Sequence, residues 1–590
     1  MSATPPTDSN LEPFARIAAT APAIAELVAK FARRERLPGL AYGVVAAGRL
    51  VYGGGTGKAD LAANTPADDG TLFRIASMTK SFAAVAILQL RDAGLLSLDD
   101  PAARYVPELA SLTYPTSDSP VVTVRHLLSM APGWPEDNPW GDRQLSLEDE
   151  AFSKLLSDGV TFAAAPDVHY EYSNLGYMIL GRIVGQVAGM SFQAYVRERI
   201  LRPLGMTASG WNVDELSGQV VAKGYRNVNG ELVEDALALA RSAGDAAAFG
   251  GLYTSVRELA QWVALFLAAW PPRDGEEGPV LRRSSLREMQ RCANPRPPLI
   301  NRTIGAPQRY EVGGYGYGLF ASLTSDFGRF VGHAGGLPGF GSHMVWLPDD
   351  DVGVVTLANA TYAPAVPITM QILRQVVAQA QLTPRRVRPA EALVRAQACT
   401  IRLLGRWDDE LADKLVAANF FLDEPRARWR SRLEALRSRH GELRVDGDIE
   451  VTNPLRGVWT MVGAQGWCRV TITLTPTMPP RVQYLGIESI FPPGAAMQTA
   501  LEALLAATAA PSLRAVTKIF TATCDRRGVL AHLRMVNTLY GACTLERILG
   551  GDGEQRTVAR VHSEQGPLEV EITLDRGTAK LTSAEFRVAG

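Results

Sequence analysis

Ser77 and Lys80 stand three residues apart at the head of an apolar segment, KSFAAVAILQLRDAGLL over residues 80–96. That segment is apolar nearly all round, which predicts a core helix. A spacing of three puts the Ser77 hydroxyl and the Lys80 amine one turn apart on one face. Free N–H groups and the positive dipole end at a helix N-terminus favour a developing anion there. An amine held in apolar surroundings loses proton affinity and becomes a neutral base near pH 7. The pair is therefore a candidate serine nucleophile with its own activator.

Two further polar constellations follow. Tyr172-Ser173-Asn174 lies where a loop leads into a second apolar helix, in YEYSNLGYMILGRIVGQVAG. A tyrosine beside a lysine can serve as phenolate or proton relay, and an amide side chain can hold both a lysine and a substrate carbonyl. His333-Ala334-Gly335-Gly336 follows the strand-like Arg329-Phe330-Val331 and precedes a strand-like run at 342–347. Two strands joined by a Gly-rich turn predict a hairpin. Glycines there let a substrate backbone approach closely and can aim an N–H at an oxyanion. Taken singly, each constellation also has a plain structural explanation. Ser-x-x-Lys arises from a capped helix with a surface lysine, Ser173 or Asn174 can be a helix cap, and the glycines can be an ordinary turn.

In this order, Ser-x-x-Lys, Tyr-x-Asn and His-x-Gly make the chain resemble the serine β-lactamase and penicillin-binding-protein-like hydrolases, over roughly residues 20–382. The stretches FRIASMTKSF, LLSLDDPAARYVPEL, VTVRHLLSMAPGW, RILRPLGM, GGLYTSVRELAQW and GHAGGLPGF carry the same resemblance. It implies an α/β (α+β) β-lactamase-like catalytic domain, an antiparallel sheet flanked by helices with a helical lobe inserted. It also implies roles: Ser77 as nucleophile, Lys80 as its general base, and Tyr172 as proton relay to the leaving group. Asn174 would orient Lys80 and the substrate carbonyl, and His333 and Gly335 would line the strand on which substrate lies. The backbone N–H groups of Ser77 and Gly336 would form the oxyanion hole.

One departure shapes the expected substrate. His333 stands where many β-lactamases carry the lysine of Lys-Thr-Gly, so the ammonium and hydroxyl that grip a substrate carboxylate are missing. A histidine near its ordinary pKa offers that charge only partly at neutral pH. His-x-Gly resembles the esterase, D-amino-acid peptidase and amidase branches more than true β-lactamases, within an overall resemblance to the class C β-lactamase, D-aminopeptidase and family VIII esterase-like branch. It implies hydrolysis of a small ester, an amide or a short, D-amino-acid-containing peptide. Acyl transfer, β-lactam hydrolysis and penicillin recognition without turnover are the alternatives. No counterpart of the class A Ω-loop glutamate is visible, and Glu171 reads as a solvated residue. The chemistry needs no cofactor or metal, and none is expected.

Secondary elements must hold these groups in place. The sequence predicts a helix at 23–36, a hairpin at 40–46 and 50–54 around Ala47-Gly48-Arg49, and a mostly helical region from 77 to 300. Strands at 315–358 and a helix at 366–381 complete the unit, with the cleft at the lobe boundary. The turn-rich loop 137–142, with Trp134 and Trp140, offers a wall for that cleft. His126 reads as a packing or capping residue. Tyr315-Gly316-Tyr317-Gly318 reads as a strand start, since no strand-then-helix context makes it a phosphate cradle.

At 590 residues the chain needs two or three cores. The sequence divides it into a catalytic domain at 1–382, a linker at 383–389, and α+β units at 390–492 and 493–590 of cystatin- or NTF2-like pattern. In the tail it predicts helices at 390–439 and 496–508. Strands are expected at 450–452, 457–462, 469–474, 482–487, 516–521, 530–535, 544–549, 558–561 and 570–574. The tail carries no trusted constellation of its own and is expected to gate the cleft or to join copies into a homo-oligomer. Sixty Lys+Arg against 61 Asp+Glu argue against a nucleic-acid surface. The Arg-rich run 426–432 reads as a solvated helix face. Five scattered cysteines give neither a metal spacing nor a disulfide framework. The start lacks the basic and apolar regions of a signal peptide, and no apolar run of about 18 residues would span a membrane. A cytoplasmic protein acting on a small molecule or short peptide is the expectation.

Overall fold

The computed structural model describes residues 11–588 apart from 217, 240, 242–243, 302–308, 383–384, 386 and 565. Parts of the expected linker, at 383, 384 and 386, and the first ten residues lie outside that description. Chain contacts divide the molecule into one unit of residues 1–299 and 310–385 and another of 300–309 and 386–590.

The first unit is built on a ten-stranded sheet. Its path runs Thr65–Pro66, Arg49–Asp60, Gly39–Ala46, Val352–Ala358, Phe340–Leu347, Gly328–Leu337, Phe320–Thr324, Arg309–Tyr315 and Asn294–Pro295. Antiparallel pairing of Val44 with Val354 joins segments about 310 residues apart in sequence into the sheet centre. Gly39–Ala46, Phe340–Leu347 and Val352–Ala358 are buried at every position, as strands covered on both faces must be. Helices Ala21–Arg34 and Ala365–Ala380 cover one face, where Val28, Phe31, Val44, Val354, Ile372 and Val376 share a core. The other face carries Val256–Leu267, whose Trp262 stacks on Phe82 of the helix Thr79–Asp92 at 3.8 Å. That second helix is buried along almost its whole length, in the middle of the larger core.

Two corrections concern the strands. His333-Ala334-Gly335-Gly336 does not form the hairpin turn: it lies inside the strand Gly328–Leu337, paired with Met344, His343, Ser342 and Gly341. The turn is at Pro338-Gly339, where Gly339 takes a φ of 84°. The glycines serve close approach instead. A Cβ on Gly335 would sit 2.3 Å from the Ile75 carbonyl oxygen, and one on Gly336 would meet the Tyr362 ring at 2.8 Å.

In the second unit one pattern occurs twice. Helices Glu391–Gly405, Asp409–Leu415 and Arg426–His440 precede the sheet of Arg444–Asn453, Arg456–Gly463, Gly466–Leu474 and Val482–Ile490. Helices Ala495–Ala509, Leu513–Ile519 and Arg526–Tyr540 precede that of Thr544–Gly551, Arg556–Ser563, Gly566–Asp575 and Lys580–Val588. The copies agree in detail. Arg456 pairs with Thr473 and Arg556 with Thr573, and in both copies the pairing of the third strand with the last shifts register at the same place, between Thr473 and Leu474 and between Thr573 and Leu574. The first copy has a short extra helix, Phe420–Asp423. The expected strands at 516–521 and 530–535 are a second correction, because both fall mainly in helices. Ser512 and Asp525 cap those helices through their side chains. Val529, Leu533, Val536 and Tyr540 then recur at helical spacing, which outweighs the β-branched composition nearby.

Candidate active site

Ser77 sits in the short 3-10 turn Ala76–Met78 that leads into the helix Thr79–Asp92. Ala76 before it has a φ of 50°, a left-handed conformation that is costly for a residue with a Cβ. The surroundings hold it there: Ser342 Oγ donates to the Ile75 carbonyl at 2.8 Å, and Gly335 leaves room beside it.

Lys80 is fully buried and its amine has three neighbours. Nζ lies 2.6 Å from Asn174 Oδ1, 3.0 Å from the Phe249 carbonyl and 3.1 Å from Ser77 Oγ. The two carbonyl oxygens can only accept, so they take two N–H bonds. A neutral amine is then left with its lone pair toward the Ser77 hydroxyl. Burial pushes the Lys80 pKa down to about 7, with Asp142 and Asp137 pulling it back up. The rings of Tyr172, Phe249 and Tyr177 surround it, at 4.8, 5.4 and 5.7 Å.

Tyr172 and Asn174 flank the start of the helix Asn174–Ala188. Burial holds the Tyr172 phenol well above its ordinary pKa, the nearby Ser77 hydroxyl pulling the other way. Burial thus disfavours a phenolate at Tyr172. The helix start is fixed twice over. Ser173 Oγ accepts the Gly176 N–H at 3.0 Å, and Asp137 accepts those of Asn174 and Leu175 at 2.7 and 2.8 Å. Asn174 Nδ2 gives one hydrogen to Asn138 Oδ1 at 3.2 Å. A Cβ on Gly141 would clash with the Asn174 side chain at 2.6 Å, so the loop 137–142 presses directly on it.

His333 departs from the expectation of a partial charge. It is 2 % exposed, and burial together with Lys80 pushes its pKa down to about 3. Nδ1 donates to the Ala334 carbonyl at 2.6 Å, which leaves Nε2 to accept from the Tyr315 hydroxyl at 3.0 Å. Tyr172, Tyr315 and Phe320 ring it at 6.3, 5.7 and 5.3 Å. This wall of the site is aromatic and uncharged.

Sequence reasoning offered the loop 137–142 only as a cleft wall. Asp137, Asn138 and Asp142 in it, with Phe249 and Tyr362, complete the surroundings of Lys80 and Gly336. Asp142 is 7 % exposed and accepts the Tyr362 hydroxyl at 3.0 Å, and burial pushes its carboxyl up. Turn residues ahead of the Tyr-x-Asn motif were the only available signal. Trp134 belongs to the core, near Phe162 at 6.3 Å, whereas Trp140 is exposed. His126 caps its helix, Nδ1 accepting the Thr123 N–H at 3.2 Å. Among the described residues no single helix is long and apolar enough to cross a membrane.

Comparison with known proteins finds relatives of the same fold and family. Protein flp of Staphylococcus aureus (strain COL) is 26 % identical over 344 residues, 56 % of this chain and 62 % of that one. Penicillin-binding protein 4* of Bacillus subtilis (strain 168) is 25 % identical over 331 residues, 53 % of this chain and 66 % of its own. The chain thus spans a little under two thirds of the length of these relatives. The octameric penicillin-binding protein homologue from Pyrococcus abyssi shares the fold with a TM-score of 0.50 at 20 % identity, covering 94 % of this chain and 96 % of that one. A family model described as Beta-lactamase matches residues 24–378, and the chain belongs to that family.

Proposed function

We propose that this protein is a serine hydrolase that forms an acyl-enzyme on Ser77 and acts on a small ester, an amide or a short peptide, including D-amino-acid peptides. The observation that carries the reading is the Lys80 amine, with two carbonyl acceptors fixed and Ser77 Oγ in the third direction at 3.1 Å. In the first half-reaction the Ser77 proton passes to Nζ as Oγ bonds to the substrate carbonyl carbon. The oxyanion is held by the Ser77 and Gly336 N–H groups. The leaving oxygen or nitrogen then takes its proton through the Tyr172 hydroxyl, which is refilled from Lys80. Water attacks the acyl-enzyme by the reverse route, with Asn174 keeping Lys80 and substrate in register and His333 and Gly335 lining the bed beneath.

The relatives named for penicillin keep a second reading open, slow or absent turnover of a β-lactam adduct. A neutral His333 offers no grip for the β-lactam carboxylate, which favours the ester, amide and peptide reading. Intact-mass spectrometry after a fluorophosphonate, a penicillin and p-nitrophenyl butyrate separates them. A single adduct on wild type, absent in Ser77→Ala, with release of p-nitrophenol supports the hydrolase. A penicillin adduct that persists without ester turnover supports the second reading. No adduct from folded protein removes both. Self-association belongs to the proposal as well, on the example of the octameric homologue, and light scattering giving a monomer mass removes it.

A further inference from the structure

The two copies of the tail pattern differ where the third helix faces the last strand. In the first copy the fourth residue of the helix Arg426–His440 is Trp429, which is buried. The Phe420 ring lies 5.3 Å from its indole, and the Arg432 guanidinium sits over it at 4.9 Å. Phe420 comes from the short helix Phe420–Asp423, which packs against the strand Val482–Ile490. The first copy closes this side with its own aromatic rings.

Three changes empty the same place in the second copy. Val529 stands where Trp429 does, fourth in the helix Arg526–Tyr540. Strand pairing matches Leu485, opposite Ile472, to Ala584, opposite Ile572. The link before the third helix is four residues shorter, 520–525 against 416–425, and forms no counterpart of the short helix. The neighbours do not collapse into the space so vacated. A cavity of about 260 Å³ lies between helix and strand, with Phe520, Val529, His532, Leu533, Ala584 and Phe586 in its walls. For scale, an apolar cavity of roughly 150 Å³ is enough to bind benzene. Among the described residues no Asp, Glu, Lys or Arg lines it, and the rings of His532 and Phe586 stand 6.2 Å apart along one wall.

We propose that this cavity binds a small, uncharged aromatic molecule of about two fused rings, in the place that the Trp429 indole fills in the first copy. Its volume, apolar lining and ring-bearing wall match such a ligand. A charged ligand would be desolvated there without a counter-charge. The site is built from the tail alone and does not rest on the serine-hydrolase reading.

The test is calorimetric titration of the full chain with indole, on wild type, Val529→Trp and Ala584→Leu. Each substitution restores the side chain of the first copy, and a thermal melt checks that it folds. Wild type is expected to bind one indole per chain saturably, and each folded variant to bind it at least about tenfold more weakly. Indole-3-acetate, the same ring with a carboxylate, should likewise bind wild type at least about tenfold more weakly than indole. No saturable binding to folded wild type overturns the proposal, and so does binding that the folded variants leave unchanged. Photolabelling of wild type with 5-azidoindole decides the matter even where neither variant folds. Adducts within 520–533 or 582–586 support the site, and adducts only elsewhere overturn it. Self-association that Val529→Trp abolishes, without indole binding, overturns it in favour of a protein occupant.

Discussion

Lys80 Nζ and Asn174 Oδ1 stand 2.6 Å apart, and this hydrogen bond ties the nucleophile helix to the start of a helix 94 residues later. It fixes one of the amine's three directions and so helps choose where the lone pair points. Asn174→Ala is expected to lower kcat/KM about 10²–10³-fold, within the range seen when a positioned proton-transfer group is lost. Asn174→Asp would place an anion against the amine and favour the ammonium. The acidic limb of its kcat/KM profile should move up by a unit or more, which a pH titration of ester hydrolysis reads directly.

Wild-type activity should itself rise with pH. Lys80 works as a base only when neutral, and its pKa in the fold is about 7. kcat/KM is therefore expected to climb through about pH 7 and level off above it. Stability runs in the same direction. The folded pKa lies below the ordinary 10.5, so the unfolded chain binds this proton more tightly, and stability grows with pH between the two values. Lys80→Met should lose activity and flatten that part of the melting-temperature profile.

Tyr172→Phe distinguishes leaving groups. A p-nitrophenolate departs without a proton, whereas an amine must be protonated as it leaves. The variant is expected to lose about 10²–10⁴-fold on an anilide or peptide. In kcat/KM, which reports acylation, its loss on p-nitrophenyl butyrate should be much smaller, and equal losses in kcat/KM on both would remove the relay role.

Asp137→Ala strips the Asn174 and Leu175 N–H groups of a carboxylate acceptor. Caps of this kind contribute about 0.5–2 kcal/mol. Denaturant unfolding should show a loss of that size, together with lower activity because Asn174 loses its anchor.

Gly335→Ala tests the close approach of strand and nucleophile turn. The new methyl would fall 2.3 Å from both the Ile75 carbonyl oxygen and Ser342 Oγ, so the backbone must move. A stability loss of about 1–3 kcal/mol is expected from such overpacking. Slower fluorophosphonate labelling of Ser77 should accompany it.

How much of this was legible in the sequence depends on distance along the chain. Ser77 and Lys80 fall together because one helix turn joins them. The hairpin near the N-terminus was equally readable, since Ala47 and Gly48 both take positive φ between its strands. Asp137 and Asp142 were hidden, because the contacts that matter run to residues 37 and 220 positions away. The charge state of His333 was hidden for a similar reason: it depends on rings brought in from Tyr172, Tyr315 and Phe320. In the tail, short apolar runs at 516–521 and 530–535 look alike as strand or helix. Only the preceding caps, Ser512 and Asp525, separate the two.

The paired modules of the tail act as one instruction written out in two spellings. Trp429 in one copy is matched in position by Val529 in the other, and Arg430 by Leu530, while the helix carrying them keeps its length. What does persist lies in the core, as Leu433 and Leu533, Val470 and Val570, or Ile472 and Ile572, and at the element ends. A glycine with positive φ ends each third helix, Gly441 and Gly541, and another opens each third strand, Gly466 and Gly566. A side-chain cap starts each second helix, from Asp408 and from Ser512. The same core and the same punctuation recur while positions such as Arg430 and Leu530 differ, so one architecture presents two different surfaces.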